Sequence, residues 1–79
     1  SFFLKATPLR GKSALQEKSQ ESQGVTPHYA VMKETGPDHD KQFIVGVYIK
    51  ETLLAEGTGK SKQEAEQSAA RAALDKKGW

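Results

Sequence analysis

Cysteine is absent from this chain of 79 residues, and methionine and tryptophan occur once each. Without cysteine, the chain can form neither a disulfide framework nor a cysteine-ligated zinc site, and the composition fits a reducing compartment. No apolar run approaches the ~20 residues that a membrane-spanning helix requires. The segment Phe2-Phe3-Leu4 is far too short for the apolar core of a signal peptide. We therefore expect a cytoplasmic protein that does not associate with membranes.

A large excess of one charge is also missing, since the net charge is only +2. The distribution of charge is more informative than its sum. Acidic residues outnumber basic ones five to three over residues 25–59, whereas basic residues lead five to three over residues 60–79 and four to two over residues 1–24. If folding brings the two ends onto one face, that face will be basic and suited to a polyanion.

The length allows one small domain and no more. Residues 1–10 show no clear hydrophobic period, so we interpret them as a linker or flexible N-terminal arm. We expect residues 11–77 to form the folded domain and residues 78–79 to be its C-terminal end. Because the chain begins with Ser1 and not with methionine, we interpret it as part of a longer protein.

Two segments have helical character. Residues from about Lys12 to Gln23 are mostly good helix formers, and Gly24 is a natural stop. Ser61 is a good N-cap, and Glu64 completes a capping box for a second helix that runs to about residue 76. Four alanines at helical spacing predict that this helix closely approaches whatever it covers; they are Ala65, Ala69, Ala72 and Ala73.

Three segments between the helices read as strands. Residues 28–35 alternate, with Tyr29, Val31 and Lys33 predicted on one face. A Gly-Pro loop over residues 36–40 follows, and residues 43–49 then keep a strict period of two. Lys50-Glu51 predicts a tight turn into an antiparallel third strand. The expected class is α+β in the order α-β-β-β-α, with both helices packed on one face of a three-stranded antiparallel sheet.

The most informative stretch is the junction before the second helix, Gly59 to Ala65, which carries Lys60 and Lys62. The first turn of a helix presents unpaired N–H groups and a partial positive charge, so lysines there favour binding of an anion such as an array of phosphates. The alternative is an ordinary solvated basic turn. A nucleotide-binding P-loop is excluded because Leu54 stands where that motif requires glycine.

Two further features each allow a functional and a structural interpretation. Gln16 and Gln20 share one helix face. They are either a pair that binds a ligand or ordinary polar residues exposed to solvent. His39 lies between Asp38 and Asp40, which suggests a metal site. Acids that flank one histidine in a Gly-Pro loop are more often turn formers, so we predict no metal.

Three motifs in order carry a family resemblance: Lys12 to Glu17, Gly36 to His39, and Glu56 to Leu74. With them the chain resembles the double-stranded RNA-binding domain, and most closely the C-terminal domain of bacterial ribonuclease III. The resemblance covers about residues 12–76 and implies the α-β-β-β-α order already given. It also implies three RNA-contacting regions, namely the first helix (Ser13, Gln16, Gln20), the loop between the first two strands (Pro37, His39) and the start of the last helix (Lys60, Lys62, Gln63).

The same resemblance carries further expectations about the parent protein. It implies a ribonuclease III that cleaves double-stranded RNA, with Mg²⁺ only in a separate nuclease domain and a homodimer formed through that domain. This domain alone is then expected to be a monomer without a cofactor that binds RNA but does not cut it. Gln63 and Glu66 stand where the family often has basic residues, and Glu66 matches the usual ribonuclease III variant. The alternative is a protein-interaction or dimerisation domain of the same fold with weak or no RNA binding.

Overall fold

The computed structural model describes residues 11–79, so the linker predicted over residues 1–10 lies outside the described part of the chain. Two helices and three strands follow in the expected order: α1 (Gly11–Gln23), β1 (His28–Thr35), β2 (Gln42–Ile49), β3 (Thr52–Gly59) and α2 (Lys62–Lys77). A short 3-10 turn, Asp38–Asp40, interrupts the loop between β1 and β2. The α+β class and the α-β-β-β-α order are confirmed.

The sheet is antiparallel throughout, with β2 between β1 and β3. The period-two pattern predicted for β2 is confirmed, because Val45, Val47 and Ile49 are buried in the core. The turn after β2 places Lys50 at a φ of 58°, which is the left-handed region that a tight hairpin turn demands. The face of the sheet opposite the helices is open to solvent, and Met32 and Leu53 on that face are 45% and 39% exposed.

The predicted faces of β1 are wrong after Val31. A bulge between Val31 and Lys33 shifts the register, so that Val31 pairs with Val45 but Lys33 pairs with Ile44. Residues directly opposite each other in an antiparallel pair share a face. Lys33 therefore leaves the face that it was expected to share with Tyr29 and Val31.

The core lies between the sheet and the two helices. Leu15 from α1 is completely buried with the valines of β2 and the alanines of α2. Helix α2 lies very close to β3, because a side chain at Gly57 would collide with the backbone of Ala69 and Ser68. A Cβ at Gly59 would likewise collide with the backbone of Ala65 and Glu64, so the start of α2, with the two lysines of the junction, is fixed relative to the sheet.

The buried stripe on α2 differs from the prediction by part of a turn. Ala65, Ala69, Ala70 and Ala73 are fully buried, whereas Ala72 is only half-buried. At about 100° per residue, these four alanines span an arc that is centred farther toward Ala70 than the predicted one. The shift has a physical reason, since α1 packs against α2 on the side of Glu66 and Ala70.

Candidate nucleic-acid interface

Helix α1 presents the first group of predicted RNA-contacting residues. Ser13, Gln16 and Gln20 are exposed or nearly so, and they line one shallow concave region together with Glu17 and Glu21. The opposite side of the helix is anchored by Leu15 and Ser19, which are both 0% exposed. Burial of that side is what turns the serine and the two glutamines outward.

The C-terminal end of α1 is held by two side-chain hydrogen bonds that the sequence did not reveal. The hydroxyl of Ser19 donates to the carbonyl oxygen of Val25 at 2.7 Å, and Nε2 of Gln20 donates to Oγ1 of Thr26 at 2.6 Å. The second bond uses the amide nitrogen of Gln20 within the domain. The carbonyl oxygen Oε1 is then the atom of Gln20 best suited to accept a hydrogen bond from a ligand.

The loop between β1 and β2 has a defined shape. Gly36 has a φ of 91°, and a Cβ there would collide with the carbonyl oxygen of Asp40. The N–H of Asp40 donates to the carbonyl oxygen of Pro37 at 2.9 Å and closes the 3-10 turn. Nζ of Lys41 lies 3.4 Å from Glu34 and 3.9 Å from Asp38, so it ties the turn to the end of β1.

Within this shaped loop His39 is exposed at the surface. His39 and Lys60 line the same concave region, with Asp38, Asp40, Lys41 and Phe43 around them. The fold thus brings the predicted loop residue and the predicted phosphate-binding lysine to one concave region, although 21 positions separate them in the sequence. The α1 face and the His39–Lys60 region form two separate concave parts of the surface.

The start of α2 is capped as predicted. Oγ of Ser61 accepts a hydrogen bond from the N–H of Glu64 at 3.1 Å, and Ser61 has extended backbone angles of −137° and 164°. The Glu64 carboxylate accepts from the N–H of Lys60 at 3.0 Å, one residue earlier than in the usual capping box. Lys60, Lys62 and Gln63 are exposed around this cap, so both ammonium groups lie at the positive end of the helix dipole.

A contact between the helices was missed by the sequence analysis. Nζ of Lys12 lies 2.6 Å from Oε1 of Glu66 and 5.4 Å from the centre of the Tyr29 ring. The Tyr29 hydroxyl is buried and has no hydrogen-bond partner. Burial, reinforced by the negative charge of Glu66, raises the pKa of Tyr29 to about 12. Lys12 and Glu66 are 54 positions apart, and no local pattern announces such a pairing.

Two other features are absent from residues 11–79. That part of the chain holds no group of three or more histidine, aspartate or glutamate side chains that could hold a metal ion. Nor does any helix described there have the length and apolar character needed to cross a membrane. The chemistry that the described surface does offer is amides, an imidazole and ammonium groups.

Comparison with known proteins gives relatives along most of the chain. The chain is 48% identical over 65 residues to Ribonuclease 3 of Natranaerobius thermophilus, covering 82% of this chain and 28% of that protein. It is 50% identical over 66 residues to Ribonuclease 3 of Bdellovibrio bacteriovorus, covering 84% of this chain and 28% of that protein. The chain thus spans little more than a quarter of the length of these relatives.

A solved structure and a family pattern agree with these relatives. The structure of Dicer from Pichia stipitis superposes with a TM-score of 0.70 and 25% sequence identity, covering 91% of this chain and 38% of that one. Residues 12–77 match the family described as double-stranded RNA binding motif. The chain therefore belongs to the double-stranded RNA binding motif family.

Proposed function

We propose that this chain is the substrate-binding domain of a ribonuclease III, and that it holds duplex RNA by shape through three groups of side chains. The observation that carries the proposal is that His39 and Lys60 line one concave region at the capped start of α2. Membership of the double-stranded RNA binding motif family supports the same ligand. Each of the three groups matches a feature of the grooves of A-form RNA.

The α1 face suits the minor groove. A-form RNA has a wide, shallow minor groove lined with 2′-hydroxyls, which both donate and accept hydrogen bonds. Gln16 offers an amide that also does both, Gln20 offers its Oε1 as an acceptor, and Ser13 adds a hydroxyl on the same face. A lysine in these positions would attract a phosphate but could not accept from a hydroxyl.

The other two groups suit the next features along the duplex. The phosphates that border the narrow major groove are the ligand for Lys60 and Lys62 at the positive end of α2. Gln63 adds a neutral donor beside them. The loop with Pro37 and His39 then reaches a second minor groove, so that the domain spans about 16 base pairs.

The chemistry of cleavage belongs to the remainder of the parent protein. Hydrolysis of RNA with two metal ions needs several carboxylates that converge on paired Mg²⁺. We propose that these lie in a separate nuclease domain, through which the parent forms a homodimer in the cytoplasm. The chain described here is proposed to act as a monomer that binds duplex RNA without cutting it and without a cofactor of its own.

The experiment is a titration of the domain with an RNA duplex of about 20 base pairs, the same duplex in DNA, and single-stranded RNA. We expect binding at moderate salt only to the RNA duplex. Replacing Lys60 and Lys62 together by alanine should weaken binding of every duplex sequence and lower the slope of log affinity against log salt by about 2. Equal affinity for the DNA duplex would contradict recognition through 2′-hydroxyls.

Two variants serve as matched controls. Replacing Lys76 and Lys77 by alanine removes the same charge from the opposite, C-terminal end of α2, and it should leave most of the affinity and of the salt slope intact. Gln16→Ala should weaken binding with little change in the salt slope, because it removes a hydrogen-bonding group and no charge. If the unsubstituted domain does not bind the RNA duplex, a protein-interaction module of the same fold becomes the better explanation.

A further inference from the structure

The inter-helix contact around Lys12 and Glu66 joins the two helices that carry separate parts of the proposed RNA surface. Nζ of Lys12 and Oε1 of Glu66 are 2.6 Å apart, and the two side chains are only 35% and 27% exposed. The ammonium group also lies over the Tyr29 ring of β1. One lysine thus contacts α2 and the sheet at once.

Two more contacts reinforce this connection. The backbone N–H of Lys12 donates to Oε1 of Gln67 at 3.3 Å, so a side chain of α2 satisfies one of the N–H groups at the start of α1. Gly11 lies so close to α2 that a Cβ there would be 3.1 Å from Cγ of Arg71 and 3.3 Å from the carbonyl oxygen of Gln67. The first turn of α1 is therefore seated directly on the middle of α2.

The contact lies one helical turn from each proposed RNA-binding group. Along α1, Lys12 precedes Gln16 by four positions, so the two lie on neighbouring parts of one helix face. Along α2, Lys62 precedes Glu66 by four positions in the same way. The ion pair thus lies between the amides that face the minor groove and the lysines that face the phosphates.

We infer that Glu66 and Lys12 are positioning residues for duplex RNA, which set the separation between the α1 face and the start of α2 so that both meet their grooves together. The inference rests on the proposed function. It also explains why the acidic Glu66 occurs near a surface that is proposed to bind a polyanion. Glu66 faces Lys12 across the helix interface instead of a phosphate.

The substitution Glu66→Gln gives a test in which two explanations predict opposite signs. If Glu66 only repels phosphates, removing its charge should tighten RNA binding. If Glu66 positions α1, the same change should weaken binding by about fivefold, as expected for loss of a partly buried ion pair that holds one binding group in register. The assay is a titration with the RNA duplex at fixed salt, at a temperature where circular dichroism shows every variant folded.

Glu51→Gln is the matched control, because it removes the same charge from the exposed turn between β2 and β3, outside the proposed RNA-binding groups and away from the contact between the helices. It should bind as tightly as the unsubstituted domain or more tightly. Lys12→Met completes the comparison, since it keeps an apolar side chain over Tyr29 but removes the ammonium group. In the double variant with Glu66→Gln, binding should be no weaker than in Lys12→Met alone.

The possible results separate the two proposals. If the unsubstituted domain does not bind duplex RNA, the proposed function fails. If it binds, and Glu66→Gln binds equally or more tightly, or the two substitutions act independently, the positioning role of this pair is wrong. Weaker binding by folded Glu66→Gln, with Glu51→Gln unimpaired and the Lys12 and Glu66 effects coupled, supports it.

Discussion

Gly57→Ala should severely destabilise the domain, because this strand glycine lies directly under α2. An added Cβ would lie 2.7 Å from Cα of Ala69 and 2.5 Å from the carbonyl carbon of Ser68, and closer still to the nitrogen of Ala69. Ordinary contacts between carbon atoms are about 3.5–4.0 Å. Helix α2 would thus have to move away from β3 by about 1 Å, since backbone atoms cannot turn aside individually.

The magnitude follows from two opposing terms. Overpacking of a core costs about 1–3 kcal/mol and more when the obstacle is rigid. Replacing glycine by alanine returns about 0.4–1 kcal/mol by restricting the unfolded chain. Because the obstacle is rigid backbone, the cost lies at or above the upper end of that range, and we expect a net loss of about 2 kcal/mol or more from the free energy of unfolding, which is a large fraction of the total for a domain of this size.

Gly46→Ala is the matched control on the neighbouring strand. A Cβ at Gly46 would meet Sδ of Met32 at 2.7 Å and Cδ1 of Leu53 at 2.9 Å. These atoms are the ends of flexible, partly exposed side chains on the open face of the sheet, and they can rotate away. The cost should therefore stay below about 1 kcal/mol.

Urea denaturation followed by circular dichroism measures both variants in one experiment. The account predicts a much lower midpoint for Gly57→Ala than for Gly46→Ala, with similar slopes. Equal midpoints would refute the reasoning that the close contact between β3 and α2 is rigid.

Three further predictions concern the cap, the loop and the buried tyrosine. Ser61→Ala should cost about 1 kcal/mol of stability, measured by urea denaturation, because the N–H of Glu64 loses its acceptor; an unchanged midpoint would contradict this. Gly36→Ala should lower duplex RNA affinity more than global stability, because its φ of 91° and the contact with Asp40 shape the loop that carries His39; equal affinity in a filter-binding assay would count against the role of that loop. Tyr29→Phe should keep or raise stability by up to about 1 kcal/mol at neutral pH, since it removes a buried hydroxyl that has no partner. Because the pKa of Tyr29 is raised in the folded domain, ionisation of this group leaves the free energy of unfolding unchanged below pH 10. As the pH rises toward 12 the free energy of unfolding falls, because the unfolded chain releases the phenolic proton first. At about 1.4 kcal/mol for each pH unit, the full effect would approach about 2.7 kcal/mol, and partial exposure of the ring reduces it to about 1 kcal/mol. Between pH 9 and pH 12, the free energy of unfolding should therefore fall more steeply for the unsubstituted domain than for Tyr29→Phe. Parallel curves for the two proteins would contradict the raised pKa of Tyr29.

Local patterns predicted the elements because each depends on residues close in the chain. Val45, Val47 and Ile49 specify a half-buried strand by alternation, and Ser61 with Glu64 specifies a helix start through hydrogen bonds within four residues. The loop that carries His39 was likewise readable from its glycine and proline. These features need no knowledge of what packs against them.

Features that depend on distant partners were not predictable in the same way. The bulge after Val31 arises from pairing with β2 and reverses the face of Lys33. The burial of Ala70 in place of Ala72 depends on where α1 packs, which the composition of α2 alone does not show. The same holds for the ion pair between Lys12 and Glu66. The proposed RNA-binding residues were found through family motifs, and the structure adds how three separate segments are held relative to one another.

The central claim is that three groups of side chains on one surface meet successive grooves of an A-form duplex. The most direct test is to map amide chemical-shift changes in the ¹⁵N-labelled domain during titration with an RNA duplex of about 20 base pairs. The account predicts the largest changes around Gln16, His39 and Lys60, with little change on the open sheet face at Met32 and Leu53. The largest changes on that open face, or shifts confined to only one of the three groups, would contradict it.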